Sequence, residues 1–456
     1  MSEHDTICAV STPPGEGGIG IIRVSGPDAV RIAALIFRPR GSKDLLNAST
    51  HSMLFGHVHD PAMNDVVDEA LVSVMRAPAT YTREDVVEIN CHGGMAALAR
   101  TMGLLLAFGA RQAEPGEFTK RAFLNGRIDL VQAEAVMDVI RAKTEMSLRA
   151  ANEQLSGELS RDINALRTTL IGIAAQIEAA VDFPEEEIET ASGNSVTSEI
   201  DSLLAEVARI LEGFTFGRIV RQGLATAIVG RPNVGKSSLL NALLRQNRAI
   251  VTDTPGTTRD VIEESMNISG IPVRIVDTAG IRDTHDMVEQ EGVKRSIAAI
   301  RSADLVLVVL DGSSALHEGD RRVLQEVRGM NTVAVMNKAD RPRQLETIEW
   351  PPVQVPVSCV TGQGLDELKN AITGQVMQGK LQAGEHAWAV NMRHKTALEQ
   401  AGSSLRKARE SAQANLSPEF ISLDLRDALD SIGLIIGATY TEDILERIFS
   451  DFCIGK

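Results

Sequence analysis

The chain has 456 residues, 43% hydrophobic and 23% charged, the balance of a soluble globular protein of about two to four domains. No apolar run approaches the ~18 residues of a membrane span, and the acidic start Met1-Ser-Glu-His-Asp5 carries no apolar signal core, so a cytoplasmic location is expected. The net charge of −15 disfavours strong unaided binding to nucleic acid, whose phosphates need basic surface.

Residues 1 to about 118 predict an α+β domain. Ile21-Ile-Arg-Val24, Ala70–Val74 and Val86–Ile89 read as strands between Gly/Pro turns, and Met95–Phe108 reads as a helix. Gly15-Glu-Gly-Gly-Ile-Gly20 matches G-x-G-x-x-G, but a strand follows where dinucleotide binding needs a helix, so a tight glycine loop is expected. His57, His59, Cys91 and His92 lack a fixed ligand spacing and read as turn and edge residues.

Helical signals come next. Leu155, Leu159, Ile163, Leu166, Leu170, Ile173 and Ile177 alternate spacings of four and three, which predicts one long amphipathic or coiled-coil-like helix; Ile200, Leu203, Val207 and Ile210 continue the pattern. The acidic run Asp182–Glu189 reads as a solvated loop, with a partner-binding patch as its alternative. Near the other end the pattern returns at Leu398, Ala401, Leu405 and Ala408, followed by predicted helices at Phe420–Ile436 and Thr441–Phe452. The economical arrangement is one helical domain (119–220 and 378–456) interrupted by a domain inserted at 221–377; two separate helical arms are the alternative.

Within the insertion, the apolar runs Leu224–Val229, Val273–Val276, Leu305–Leu310 and Thr332–Met336 predict an α/β domain with a mainly parallel, doubly wound sheet. Gly230-Arg-Pro-Asn-Val-Gly-Lys-Ser237 is the phosphate-cradling loop G-x-x-x-x-G-K-S. Backbone N–H groups from Asn233 through Val234, Gly235 and on to Ser238 surround the phosphates, Lys236 reaches the β and γ oxygens, and the Ser237 hydroxyl ligates Mg²⁺. In Asp277-Thr278-Ala279-Gly280, Asp277 is expected to hold Mg²⁺ through water and Gly280 to give its N–H to the γ-phosphate. In Asn337-Lys338-Ala-Asp340, the Asp340 carboxylate accepts from guanine's N1–H and amine, and Ser358-Cys359-Val360 is expected to pack on the base. Three motifs in this order mean a GTPase that binds GTP and GDP. Between them, Thr252-Asp253-Thr254-Pro255-Gly256-Thr257-Thr258 holds the threonine that senses the γ-phosphate and ligates Mg²⁺; Thr258 is the choice and Thr257 the close rival.

Ras-like enzymes place a water-orienting Gln directly after Asp-x-x-Gly, and Ile281 stands there instead. Two replacements are visible. Asn233 could bind a monovalent cation beside the β–γ bridge and supply an arginine finger's electrostatics. Glu289 could position water, although the residues alone favour a solvated charge beside Asp286 and Glu291. The four cysteines, Cys8, Cys91, Cys359 and Cys453, are far apart and form no C-x-x-C pair, which fits neither a disulfide frame nor a zinc knuckle. In the terminal Phe452-Cys-Ile-Gly-Lys456, Cys453 is either a small residue closing a helix or a reactive thiol.

Over essentially its whole length the chain resembles the MnmE (TrmE) family of tRNA-modification GTPases. The resemblance rests on the motifs above, on Thr12-Pro-Pro-Gly15 with Gly18-Ile-Gly20, on Tyr81-Thr-Arg-Glu-Asp85 leading to His92-Gly-Gly94, on Pro115-Gly-Glu-Phe118 with Arg121-Ala-Phe-Leu-Asn125, and on the terminal Phe-Cys-Ile-Gly-Lys. It implies a homodimer with an N-terminal folate-binding and dimerisation domain (1–118), a helical domain and an inserted GTPase domain. It implies work with a flavin-dependent partner (MnmG/GidA) in a hetero-oligomer. Together they place an aminomethyl or carboxymethylaminomethyl group on C5 of the wobble uridine of certain tRNAs, using the one-carbon unit of 5,10-methylene- or 5-formyl-tetrahydrofolate. GTP hydrolysis would follow K⁺-assisted pairing of two GTPase domains.

Carried over by position, the resemblance implies folate contacts at Arg23, Glu88, Arg127 (where some relatives carry Lys) and Lys456. It implies a K⁺ site at Asn233, Thr252, Thr254 and Thr257; some relatives carry Ile at the position of Thr254, so its backbone carbonyl is the implied ligand. Ser237 and Thr258 are the implied Mg²⁺ ligands, Glu289 the water-orienting residue, and Cys453 a residue of the modification chemistry. The rival reading is a ribosome-assembly or RNA-binding regulatory GTPase, which a basic RNA-binding domain beyond the GTPase domain would favour; none is visible in the sequence.

Overall fold

The computed structural model describes residues 5–42, 44–182, 193–247, 265–276, 300–383 and 390–456. The chain forms two compact units, Met1–Met137 with Ile436–Lys456, and Asp138–Ile435.

The first unit is built on a seven-stranded sheet of β1 (Ile7–Val10), β2 (Gly17–Ser25), β3 (Phe37–Pro39), β4 (Ser52–Asp60), β5 (Asp65–Met75), β6 (Val86–Gly93) and β7 (Arg111–Gln112). Its spatial order is β3-β4-β5-β6-β2-β1-β7, antiparallel except for the β1–β7 pair. Period-2 alternation turns Ile22, Val24, Val72, Val74, Val87 and Ile89 into one buried layer with α1 (Ala29–Ile36) and α2 (Met95–Ala107). The opposite parity puts Arg23 and Glu88 across from each other on β2 and β6.

The glycine run is not a tight loop: β2 starts at Gly17 and carries a bulge between Gly17 and Gly20. The glycines allow close approach, since a Cβ on Gly20 would lie 2.6 Å from the Leu98 side chain, and one on Gly93 only 2.4 Å from the Gly17 carbonyl oxygen. The histidines are not turn or edge residues either. His57 and His59 lie on β4 and Cys91-His92 on β6, both interior strands. Their side chains follow the pleat: His57 stands opposite Glu69 and His92 pairs with Asp68 at 2.6 Å, while His59 and Cys91 are buried.

After the sheet come α3 (Glu117–Leu124) and α4 (Leu130–Arg141). The chain's last helix, Glu442–Ser450, belongs to this unit because Leu445, Phe449 and Phe452 bury themselves among Phe123, Leu130, Ala133 and Met137. Each such side chain contributes about 1.5–3 kcal/mol.

In the second unit, α6 (Glu158–Asp182) is the long amphipathic helix expected, carrying Leu159 through Ile177, but Leu155 belongs to a separate helix, α5 (Glu145–Leu155). Ser156 and Gly157 turn the chain between them, and Gly157 holds a positive φ of 83°. α7 (Gly193–Glu212) and α8 (Phe214–Gln222) then lead into a six-stranded sheet. It consists of β8 (Leu224–Val229), β9 (Ser265–Ile268), β10 (Ile271–Val276), β11 (Leu305–Asp311), β12 (Thr332–Asn337) and β13 (Val353–Pro356), in the order β13-β12-β11-β8-β10-β9. Every pair is parallel except the β9–β10 hairpin. β8, β11 and β12 are buried throughout apart from the terminal Asp311, as strands covered on both faces must be.

Helices α9 (Lys236–Asn247), α10 (Glu318–Glu326) and α11 (Leu365–Ala383) accompany this sheet. α12 (Met392–Gln413) and α13 (Pro418–Ile436) follow it. α12 packs on α7 from the other side of the GTPase segment, with Gly402 facing Val207 and Arg409 paired to Asp201. An α/β domain inserted into a helical one requires this closure.

Candidate nucleotide site and a second site on the first sheet

The phosphate loop springs from the C-terminal end of β8, where a parallel sheet gathers its ligand loops. Its backbone demands the residues it has. A Cβ on Gly230 would lie 2.4 Å from the Val309 carbonyl oxygen, and one on Gly235 only 2.2 Å from Asn337 Nδ2. Asn233 adopts a left-handed φ of 66°, a conformation that Asn accepts more readily than most side chains, and stands exposed. Val234 is buried beneath the loop, and Lys236, Ser237 and Ser238 open α9, whose N-terminus favours phosphate. Lys236 Nζ donates to the carbonyls of Gly230 (2.9 Å) and Arg231 (3.0 Å), and burial lowers its pKa.

The residues expected to read guanine assemble at the ends of β12 and β13. Asn337 Nδ2 donates to the Val234 carbonyl at 2.8 Å, and the Cys359 amide donates to Asn337 Oδ1 at 3.4 Å. Lys338, at φ 65°, pairs with Asp311 at 2.6 Å. Burial opposes the Asp311 charge, but hydrogen bonds from Lys338 and Ser313 outweigh it and hold that carboxyl below its usual range. Ser358 Oγ donates to Asp340 Oδ1 at 2.6 Å and lowers the Asp340 pKa, so an ionised, acceptor-only carboxylate stands ready for two N–H donors. Val360 is 86% exposed and Cys359 half-buried beside it. The expected residues Thr252, Asp253, Thr254, Pro255, Gly256, Thr257, Thr258, Asp277, Thr278, Ala279, Gly280 and Glu289 lie outside the described residues.

A second cluster forms in the first unit. Arg23 donates through Nε to Glu88 (2.9 Å), pairs with it through Nη2 (2.8 Å), and donates through Nη1 to the Gly455 carbonyl at 3.3 Å. The chain's end is thereby brought to the middle of the sheet. Lys456 is half-buried, and its pKa is lowered by burial and by Arg23, against the opposing pull of Glu88 and Cys453. Arg127 stacks over the Tyr81 ring at 4.8 Å and donates to the Tyr81 carbonyl at 3.3 Å, while Arg23 approaches the same ring at 5.7 Å. Cys453 is exposed, whereas burial pushes the thiols of Cys8 and Cys91 up to about 12 and 11 and raises that of Cys359. Arg23, Glu88, Lys456 and Cys453 are thus brought together, and Arg127 joins them through Tyr81.

The description "MnmE helical domain" matches residues 130–453, and "GTP-binding protein TrmE N-terminus" matches residues 6–127. A tRNA modification GTPase MnmE of Thermoanaerobacter pseudethanolicus is 47% identical over 99% of both chains. The chain belongs to the tRNA modification GTPase MnmE family. Other MnmE relatives are those of Geobacillus kaustophilus, 48% identical over 100% of both chains, and of Carboxydothermus hydrogenoformans, 49% identical over 99% of this chain and 100% of that one. As a member of this family the chain is a GTP-hydrolysing enzyme, and its G-x-x-x-x-G-K-S loop and its Asn337–Asp340 run are joined at Asn337–Val234.

Sequence reasoning did not single out Tyr81 as a site residue, although it stands in the Tyr-Thr-Arg-Glu-Asp run. Its ring is the platform shared by two of the site's cations, and its hydroxyl is 2.9 Å from the Thr119 hydroxyl. Also unforeseen is the ion network behind this MnmE-family site. Arg111 and Arg121 both bind Asp5 and Glu117, Arg121 also binds Glu84, and Ser25 Oγ donates to Glu84 at 2.7 Å. It ties the loop after Tyr81 to α3.

Proposed function

We propose that this chain is a potassium-dependent GTPase that acts on tRNA with a flavin-dependent partner of the MnmG/GidA kind. The work on tRNA comes from the name its relatives carry. The pair adds an aminomethyl or carboxymethylaminomethyl group to C5 of the wobble uridine of certain tRNAs in the cytoplasm. The one-carbon unit comes from 5,10-methylene- or 5-formyl-tetrahydrofolate. The chain works as a homodimer in a hetero-oligomer, with a folate-binding and dimerisation domain at 1–118, a helical domain at 119–220 and 378–456, and the GTPase domain at 221–377.

The observation that carries this reading is the meeting of the two ends of the chain, Gly455 on Arg23 beside Glu88. One carboxylate among three cations suits a ligand with both N–H donors and carboxylates, as a folate has: Glu88 accepts from the pterin ring, and Arg23, Arg127 and Lys456 meet its anionic groups. Cys453 acts at the same place in the modification chemistry. In the GTPase domain, Ser237 and Thr258 hold Mg²⁺, and Asn233, Thr252, Thr254 and Thr257 hold K⁺. Glu289 orients water where Ile281 cannot.

The deciding experiment is nucleoside mass spectrometry of tRNA from a strain lacking this protein. Loss of the C5-substituted wobble uridine is expected, and an unchanged nucleoside would overturn the assignment. Calorimetry on the dimer is expected to show a reduced folate binding, and Arg23→Ala to weaken it.

A further inference from the structure

The segment Cys453–Lys456 brings two of the second site's residues, yet it has no regular secondary structure of its own beyond one bridge, Pro115↔Ile454. Its position is set by a few contacts with the unit's opposite end. The Gly116 amide donates to the Cys453 carbonyl at 3.4 Å. The Gly455 carbonyl accepts from Ser11 Oγ at 3.1 Å and from Arg23 Nη1 at 3.3 Å. Gly455 itself is buried at φ 95°, and a Cβ there would lie 2.5 Å from the Val10 carbonyl oxygen and 2.9 Å from Ser11 Cα. Only glycine fits, both for its left-handed backbone and for the missing side chain.

We propose that Ser11 and Gly455 are positioning residues: together they seat the segment Cys453–Lys456 against the end of β1, so that Lys456 and Cys453 are presented at the Arg23–Glu88 pair. The folate consequence rests on the reading given under Proposed function; the seating does not.

Arg23 carries both the carboxylate of Glu88 and the carbonyl of Gly455, so a ligand gripped at Arg23 and Glu88 meets Lys456 only in molecules whose terminal segment is seated. The apparent affinity for such a ligand then falls in proportion to the seated fraction. The Ser11 hydroxyl is one of two donors to the Gly455 carbonyl. Removing it loses a hydrogen bond of ordinary strength, which corresponds to a roughly three- to tenfold change in the seating equilibrium. A methyl group at position 455 meets backbone, which does not yield as a flexible side chain does, so Gly455→Ala unseats the segment more completely.

The test has two arms on the full-length chain. Hydrogen exchange followed by mass spectrometry on a peptide covering 449–456 reads seating directly. Exchange is expected to be roughly three- to tenfold faster in Ser11→Ala, close to wild type in Ser11→Thr, which keeps the hydroxyl, and faster still in Gly455→Ala. Wild-type exchange in both Ser11→Ala and Gly455→Ala would overturn the proposal, and the milder serine variant keeps it open to refutation if Gly455→Ala does not fold. The second arm titrates 5-formyltetrahydrofolate. Affinity is expected to fall wherever exchange shows the unseated form to be populated, most of all in Gly455→Ala, and to stay at the wild-type value in Ser11→Thr; wild-type affinity in a variant whose segment exchanges as an unseated one would overturn the positioning role. Failure of the wild type to bind the folate would instead overturn the folate reading, with the exchange arm still deciding the seating.

Discussion

Asn337 Nδ2 donates to the Val234 carbonyl at 2.8 Å, which makes the Asn337–Asp340 run and the G-x-x-x-x-G-K-S loop one hydrogen-bonded piece. The base and phosphate contacts proposed for these residues therefore share a frame. The same amide fills the space that a Cβ on Gly235 would need. The Asp340 carboxylate, oriented by Ser358, stands at the outer end of that frame.

Base choice follows from the acceptor-only chemistry of Asp340. Asparagine offers one donor and one acceptor, which mismatches guanine's two N–H donors and matches xanthine's carbonyl and N–H. Asp340→Asn is expected to weaken GDP binding by on the order of a hundredfold, two charge-assisted hydrogen bonds being lost, and to gain xanthosine diphosphate binding. Competition against a fluorescent nucleotide checks both changes; retained guanine preference would show that the base is read elsewhere.

Hydrolysis is expected to be faster in KCl than in matched NaCl, given the cation site proposed at Asn233 and the Ile281 that stands where Ras-like enzymes have Gln. Equal rates would count against a cation site at Asn233.

Glu289→Ala is expected to keep nucleotide affinity and to lose at least tenfold in turnover, as removal of a water-positioning group does. Unchanged turnover would return Glu289 to a solvated charge.

Glu117 lies between Arg111 (2.6 Å) and Arg121 (3.0 Å), with its side chain 7% exposed. Burial works against its charge, but the Arg111 hydrogen bond, the Glu114 amide and Arg121 overcome it and lower the carboxyl's pKa. A carboxylate with a lowered folded pKa stabilises the fold above its ordinary 4.5, and that stability is lost as pH falls through the folded value. Glu117→Gln is expected to cost roughly 2 kcal/mol at neutral pH, less than a fully buried pair because Arg111 is 38% exposed, and to flatten the acid limb of stability against pH. Urea unfolding from pH 7 to pH 3 measures both; an unaltered acid limb would remove Glu117 from the account.

Phe449 is 3% exposed and fixes the last helix to α3 and α4. Phe449→Ala is expected to cost roughly 3–5 kcal/mol, the range for a large aromatic removed from a core. It should also weaken any ligand that needs Lys456, because the terminal segment follows directly from that helix. Thermal unfolding together with folate titration checks the pair of effects.

Much of this molecule was readable along the chain because the relevant signals are local. The phosphate loop, the Asn337–Asp340 run and the apolar strands before them depend on neighbours within a few residues, and the strands they predict are β8, β10, β11 and β12 of the observed sheet; the antiparallel β9 carried no such signal. The amphipathic repeats of α6, α7 and α12 were legible for the same reason, although the turn at Ser156-Gly157 shows that spacing alone does not reveal a break where helical periodicity continues across it. The folded chain was needed wherever partners lie far apart in sequence. Arg23 meets Gly455 across 432 positions, Arg121 meets Asp5 across 116, and Asn337 meets Val234 across 103. Such pairings arise from burial, as when Phe449 and Phe452 enter a pocket made by α3 and α4, and a hydrophobic side chain carries no mark of which apolar surface will cover it.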